Sequence, residues 1–382
     1  MAEPSRSSGG PRSRVERVRV SAFDFPTDDE VESDGTLSWG RTVLVTVEAS
    51  SEGLTGLGYT YADGATARLA DSTLAPVVLG TEVCAPPANH ARMVRAVRNL
   101  GREGIAAMAV SAIDTALWDL KARWLGVSLL ELLGPARDAV ALYGSGGFTS
   151  YGAARLQAQL AGWAARGIER VKLKVGSEPH RDVERVAWAR EAIGRHVELF
   201  VDANGAYTRK HALQLAERFA ELGVTWFEEP VSSDDLPGLA LLVDRCPPSI
   251  EVAAGEYGYH ASYFEQLIRA RAVDVVQADA TRCGGVTGFL RAAALCDAHA
   301  MPLSAHCAPS LHAHLGCAAS RLRHVEYFHD HARIEARVFE GALQPVDGQL
   351  VPDRSRAGLG LELIEREARP YALASAEQRR SA

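Results

Sequence analysis

ERVKLKVG (169–176), VELFVDANG (197–205) and VTWFEEP (224–230) follow one another with an amphipathic segment between each pair. Each is a short apolar run ending in a polar residue, and the segment after it carries apolar residues at helical spacing. The unit recurs in both directions. VALYGS (140–145) precedes it, and IEVAAGE (250–256), VDVVQADA (273–280), MPLSAH (301–306) and RHVEYF (323–328) follow. The helix expected between the first two runs carries Leu156, Leu160 and Trp163 and should stop before Gly167. Eight strands alternating with about seven helices predict an α/β fold, a (β/α)7β modified TIM barrel, over 138–340. A doubly wound open sheet has a similar rhythm, but no GxGxxG follows the first strand.

Barrel enzymes place their chemistry where the strands end. The polar residues at those ends are Lys174, Asp202, Glu228, Glu256, Asp279, His306 and Glu326, at intervals of 28, 26, 28, 23, 27 and 20 residues. That is about one βα unit each, so the second to the eighth strand each contribute one ionisable group. Side chains alternate along a strand, so Lys172 and Lys174 should both point into the barrel while Val171, Leu173 and Val175 face the helices. Only four of the 41 basic residues are lysines, and two of them sit in this tripeptide. Lysine can lose its proton near neutrality and arginine cannot, and a neighbouring ammonium is expected to lower the pKa of Lys174. Asp202, Glu228 and Glu256 have no arginine partner evident in sequence, and their convergence suits a hard divalent cation, Mg²⁺ or else Mn²⁺. Zinc finds no Cys/His cluster of its usual spacing. Asp279 beside His306 would set the tautomer and basicity of the imidazole. No GxSxG elbow supports a serine nucleophile. Tyr143, Ser145, Asn204 and Glu229 read as further polar groups at the mouth. His312, His314, His324, His329 and His331 read mostly as rim or packing residues.

The rest of the chain fits around the barrel. Residues 1–14 are Ser/Gly/Pro/Arg-rich and are expected to be disordered. Residues 15–137 have strand-like alternation to about Tyr61, then helical pattern over 66–133, which predicts an α+β capping domain. The Gly/Pro-rich segment 341–382 is expected to return to that domain. The chain has 382 residues, 41 Lys+Arg against 48 Asp+Glu and a net charge of −7, which argues against nucleic acid or an anionic membrane as a partner. No apolar run spans a bilayer and no secretory signal is visible. Six scattered cysteines suggest reduced thiols and a cytoplasmic protein.

Together these motifs resemble the enolase superfamily, specifically its mandelate racemase group (the mandelate racemase/muconate lactonizing enzyme family). The resemblance runs from about Val15 to Leu363. It rests on KLK at 172–174, VDAN at 201–204, FEEP at 227–230, AGE at 254–256, DATRCGG at 279–285, SAH at 304–306 and VEYF at 325–328, with SAIDTALWDL at 111–120 matching the capping domain. It implies Asp202, Glu228 and Glu256 as Mg²⁺ ligands and Lys174 as a base, with Lys172 as its electrostatic neighbour. His306 with Asp279 is implied as the opposing acid/base dyad, and Glu326 as an acid that hydrogen-bonds an enediolate. Asn204 is a substrate contact on this reading. Muconate-lactonising relatives carry Lys where this chain has Asp279. Capping loops near Phe23–Trp39 and Gly56–Ala65 would set substrate choice, and a homo-oligomer is implied. The favoured reaction is abstraction of a proton α to a carboxylate, with dehydration of an acid sugar as the outcome. Racemisation or epimerisation of a 2-hydroxy acid is the alternative, and a non-catalytic binding barrel is the alternative from another class.

Overall fold

The structure, a computed structural model, describes residues 13–28 and 31–379. Of the N-terminal tail, residues 1–12 lie outside the described residues. Ser13 and Arg14, expected to be disordered, are instead tied down. Ser13 Oγ lies 2.6 Å from Ser51 Oγ, and Arg14 forms a β-bridge with Glu82.

Eight parallel strands close on themselves. They are Val140–Gly146, Arg170–Lys174, Glu198–Asp202, Val224–Glu228, Glu251–Ala254, Val275–Ala278, Leu303–Ala305 and Leu322–Phe328, and the eighth pairs with the first. That pairing excludes the open sheet. Val171, Leu173 and Val175 belong to the large apolar core under the helices, whereas Lys172 and Lys174 point inward and are buried. The inner face is layered. Tyr143, Phe200, Trp226, Ala253 and Val275 form a separate apolar plug inside the barrel. Phe200 and Trp226 lie two residues before Asp202 and Glu228, so period-two alternation sets charged groups one step along the same face. The helix Ala153–Ala165 buries Leu156, Leu160 and Trp163 as its spacing predicts.

Over the strand ends sits a four-stranded antiparallel sheet with Arg17–Pro26, Arg41–Ser51 and Leu54–Ala62 and a 21-residue helix, Ile105–Leu125, that ends on left-handed Gly126. The fourth strand is Ala372–Arg379, which pairs with Arg17–Phe23. The C-terminal segment expected to return to the capping domain also touches the barrel, because Gln349–Leu350 pairs antiparallel with Val140–Ala141. Polar contacts fasten the sheet to the barrel. Thr42 Oγ1 donates to Asp330 (2.8 Å), Tyr59 OH to Glu335 (2.8 Å), and Thr60 Oγ1 to the Thr281 carbonyl (2.7 Å).

The strand Leu54–Ala62 lies directly on the long helix. A Cβ at Gly58 would meet the Ala112 carbonyl oxygen at 2.1 Å and the Ala116 nitrogen at 2.4 Å. Gly58→Ala must therefore push the helix off the sheet. We expect a loss of about 1–3 kcal/mol, seen as a lower urea midpoint with an unchanged m-value. A wild-type midpoint would show that the helix seat is not close-packed.

Candidate active site

The parallel strands bring their C-terminal ends to one rim, so the ionisable residues at those ends meet in one buried cluster. Lys172 is its hub. Its Nζ lies 2.6 Å from Glu228, 2.8 Å from Glu326 and 3.5 Å from Asp202, with no side-chain exposure. Lys174 Nζ lies 2.5 Å from Asp202 Oδ2. Across the cluster, His306 Nδ1 is 2.9 Å from Asp279 Oδ2, and its Nε2 is 3.0 Å from Glu256 Oε2. Asp202, Glu228 and Glu256 each present an oxygen within 4.8 Å of the other two. Lys174 thus stands at the Asp202 end of the carboxylate trio and His306 at the Glu256 end.

The site has its own backbone signature. Asn204 (φ 46°), Glu229 (φ 38°), Cys307 (φ 56°) and Ala308 (φ 40°) are non-glycine residues in the left-handed region, all just past barrel strands. Asn204 and Glu229 each carry a buried oxygen with no hydrogen-bond partner, Oδ1 and Oε1. Gly255 (φ 135°) has room for no side chain, since a Cβ would lie 2.1 Å from the Gln277 carbonyl oxygen, and it delivers Glu256.

Charge counting identifies what the cluster lacks. Asp202, Glu228, Glu229, Glu256, Asp279 and Glu326 are buried carboxyl groups; Lys172, Lys174, His306 and Arg282 are the cations among them. Six against four leaves two negative charges. Two carboxyls register that excess. Burial and then Asp202 push Glu228 up to about 8. Burial and then Glu256 push Glu229 well above the usual carboxylate range. Glu256 and Asp279 stay ionised. Burial opposes the charge on Glu256, but His306 and Arg282 hold it well below the ordinary value. Burial likewise opposes Asp279, yet the His306 hydrogen bond brings it to about 2. A divalent cation on the trio would cancel the excess, and the all-oxygen donor set suits a hard ion.

Several expectations change here. Lys172 does not leave Lys174 with a lowered pKa. Burial lowers it, but Asp202, Glu256 and Glu228 together outweigh burial and Lys172 and raise it. Glu326 does not carry a proton to donate: burial opposes its charge, and Lys172 and His306 hold it low. It accepts from the Cys307 amide at 3.1 Å instead. The trio does have an arginine, since Arg282 Nη1 lies 3.3 Å from Glu256 Oε1. Arg282 stands three residues after Asp279 in DATRCGG, and that turn was the available signal. Tyr143 and Ser145 are fully buried and do not line the mouth; Lys172 Nζ sits 5.2 Å from the Tyr143 ring centroid.

A cavity of about 450 Å³ opens above the cluster. Lys174, Asn204, Glu256, Arg282, His306, Cys307 and Glu326 line it from the barrel, and Leu37, Trp39, Tyr61 and Asp63 from the capping loops. Arg41, Thr42 and Val43 extend that wall beyond the expected loop. His312 packs below, accepting from the Ala280 amide (2.9 Å). His331, by contrast, lines the cavity and stacks on Tyr61 at 3.4 Å.

Residues 155–367 match the family described as enolase C-terminal domain-like, and residues 26–134 match the mandelate racemase / muconate lactonizing enzyme N-terminal domain. The chain belongs to the mandelate racemase/muconate lactonizing enzyme family of the enolase superfamily. An L-talarate/galactarate dehydratase from Salmonella typhimurium is 32% identical over 96% of this chain and 94% of its own. Its crystal structure superposes with a TM-score of 0.90, covering 100% of this chain and 98% of that one, and it has also been solved with Mg and L-lyxarohydroxamate. A mandelate racemase/muconate lactonizing enzyme-like protein from Rubrobacter xylanophilus is 56% identical, with a TM-score of 0.92, over 94% of this chain and all of that one. A 3,6-anhydro-α-L-galactonate cycloisomerase from Streptomyces coelicolor is 31% identical over 91% of this chain and 97% of its own. Among the described residues, no helix is long and apolar enough to cross a membrane.

Burial disfavours a charged His306, but Cys307, Glu256, Glu326 and the Asp279 hydrogen bond push its pKa well above the ordinary imidazole value. Asp279→Asn removes the carboxylate's negative charge while keeping the shape. The His306 imidazole should then titrate at lower pH by NMR than in the wild type, and an unmoved titration would show that Asp279 does not control it.

Proposed function

We propose that this chain is a magnesium-dependent lyase, a dehydratase that removes water from an acid sugar after abstraction of the proton α to its carboxylate. The observation that carries this reading is the placement of two proton-handling groups at the two ends of one carboxylate trio: Lys174 on Asp202 at 2.5 Å and His306 on Glu256 at 3.0 Å. The similarity to a talarate/galactarate dehydratase along nearly the whole chain supports the substrate class. Asp202, Glu228 and Glu256 would hold Mg²⁺, and Mn²⁺ suits the same oxygens. Bound there, the cation would draw in the substrate carboxylate and stabilise the negative charge that grows on it as the α-proton leaves.

The chain's own residues supply the proton transfers. Lys174 takes the α-proton at Nζ, and the pull that otherwise keeps this amine charged comes from Asp202, a proposed cation ligand. Lys172 stays charged, pinned by Glu228 and Glu326, and adds positive potential beside the enediolate. His306 is held protonated and gives its Nε2 proton to the β-hydroxyl, which departs as water when the C–O bond breaks. Asp279 keeps the Nδ1 proton and the ring orientation through that exchange. The enol so formed tautomerises to a 2-keto-3-deoxy acid. Asn204, with its free buried oxygen, is placed to take a substrate hydroxyl. The capping loops close the cavity from above and keep bulk water off the charge.

The direct test is a panel of acid sugars with Mg²⁺, monitored for 2-keto-3-deoxy products. Turnover of at least one member is expected, and silence across the panel with metal bound would remove the reading. Racemisation is the second reading, because proton-handling groups flank the trio. It predicts solvent deuterium at the α-carbon without net product.

Two further outcomes follow from the charges. Lys174→Ala should lower kcat by about 10²–10⁴-fold without weakening Mg²⁺ affinity, since it removes a competitor for Asp202. Retained turnover would exclude Lys174 as the base. Glu228 must lose its proton to serve as a ligand. With its pKa raised to about 8, Mg²⁺ binding below that pH should release a proton, and apparent affinity should climb as pH rises toward 8. Calorimetry in buffers of different ionisation enthalpy reads this directly. Binding heats independent of buffer at pH 7, or Glu228→Gln with undiminished affinity, would refute the assignment.

A further inference from the structure

The turn after the seventh barrel strand carries a second donor set, of different chemical character from the carboxylate trio. His306 and Cys307 are consecutive, and on a regular strand they would face opposite ways. The left-handed backbone at Cys307 (φ 56°) and Ala308 (φ 40°) breaks that alternation and turns both side chains toward Glu326. Three atoms then form a nearly regular triangle. Cys307 Sγ is 3.3 Å from His306 Nε2 and 3.4 Å from Glu326 Oε2, and Nε2 is 3.6 Å from Oε2. Tetrahedral zinc, with bonds of about 2.3 Å to sulfur and about 2.0–2.1 Å to nitrogen and oxygen, separates its ligand atoms by roughly 3.3–3.6 Å. The three side chains are buried, and all three border the cavity, which leaves a fourth position reachable from it.

The surroundings suit a metal-bound imidazole. His306 Nδ1 is committed to Asp279 at 2.9 Å, the carboxylate–histidine arrangement that orients a ring to present Nε2 to a metal. Glu326 is itself oriented by Lys172 at 2.8 Å and the Cys307 amide at 3.1 Å. One nitrogen, one sulfur and one oxygen form a soft-to-borderline set, unlike the all-oxygen trio, so the two would sort cations by softness. No ligand-spacing motif shows this in sequence, because Glu326 comes from the next strand, 20 residues after His306.

We propose that His306, Cys307 and Glu326 form a site for a thiophilic divalent cation, Zn²⁺ being the type case, separate from the magnesium site. Coordination sends the thiol proton and the Nε2 proton to solvent. It also occupies the Nε2 atom that the proposed dehydration uses, so the ion inhibits. That consequence rests on the role given to His306 above; the binding does not.

The test titrates the Mg²⁺-saturated full chain with Co²⁺, which reports a thiolate ligand through its near-ultraviolet charge-transfer band. We expect a band that saturates at one equivalent, disappears on adding Zn²⁺, is absent in Cys307→Ser and is kept in a Cys84→Ser control at an exposed cysteine. No band in the wild type overturns the site whether or not any variant folds, and a band that survives Cys307→Ser overturns it as well. Turnover in excess Mg²⁺ then reads the consequence. Zn²⁺ should inhibit the wild type, and Cys307→Ser should need at least tenfold more Zn²⁺ relative to its own uninhibited rate. A Cys307-dependent band without inhibition supports the site and removes His306 from the rate-limiting proton transfer.

Discussion

A fully buried ammonium, Lys172, held between Glu228 and Glu326 organises the mouth of this barrel. Such a charge is costly away from water and persists only when its partners are fixed around it. The partners in turn need more positive charge than the protein supplies, because six carboxyl groups meet four cations. The two carboxyls with the most raised affinity for protons, Glu228 and Glu229, mark where the deficit falls. The site is therefore built around an electrostatic shortfall of two, and its affinity for a divalent cation and its proton chemistry have the same origin.

The fold makes that arrangement possible through alternation. Inward residues two positions apart stack into layers, so the apolar plug of Tyr143, Phe200 and Trp226 lies directly beneath the charges. The plug excludes water from below, and the capping loops cover the site from above. In that low-dielectric space each ion pair counts for more than it would at a surface. Left-handed backbone at Asn204, Glu229, Cys307 and Ala308 marks where strand regularity ends and side chains are aimed individually. Strain of this kind costs about 1–3 kcal/mol per residue, and the packed barrel beneath supports it.

Much of the site was legible because its residues repeat with the βα unit. The ring from Lys174 to Glu326 follows from counting strand ends, and the inward aim of Lys172 follows from the alternation of KLK. Groups set by local turns were not legible. Arg282 lies off the strand, in a turn, and its contact with Glu256 bridges two neighbouring units. Tyr143 reads in sequence as a polar group at the mouth but lies in the plug. The charge states were not legible either. Pairwise reasoning set Lys172 against Lys174, whereas Asp202 outweighs that repulsion in the folded cluster.

Sequence alone determined the alternation of strands and helices and the type of ionisable group at each strand end, because both are periodic properties of the chain. Tertiary structure alone decided which of those groups touch, which carry protons, and that His306, Cys307 and Glu326 converge. These outcomes depend on distances between residues of different strands and on the summed field of all of them, and neither quantity has a local counterpart along the chain.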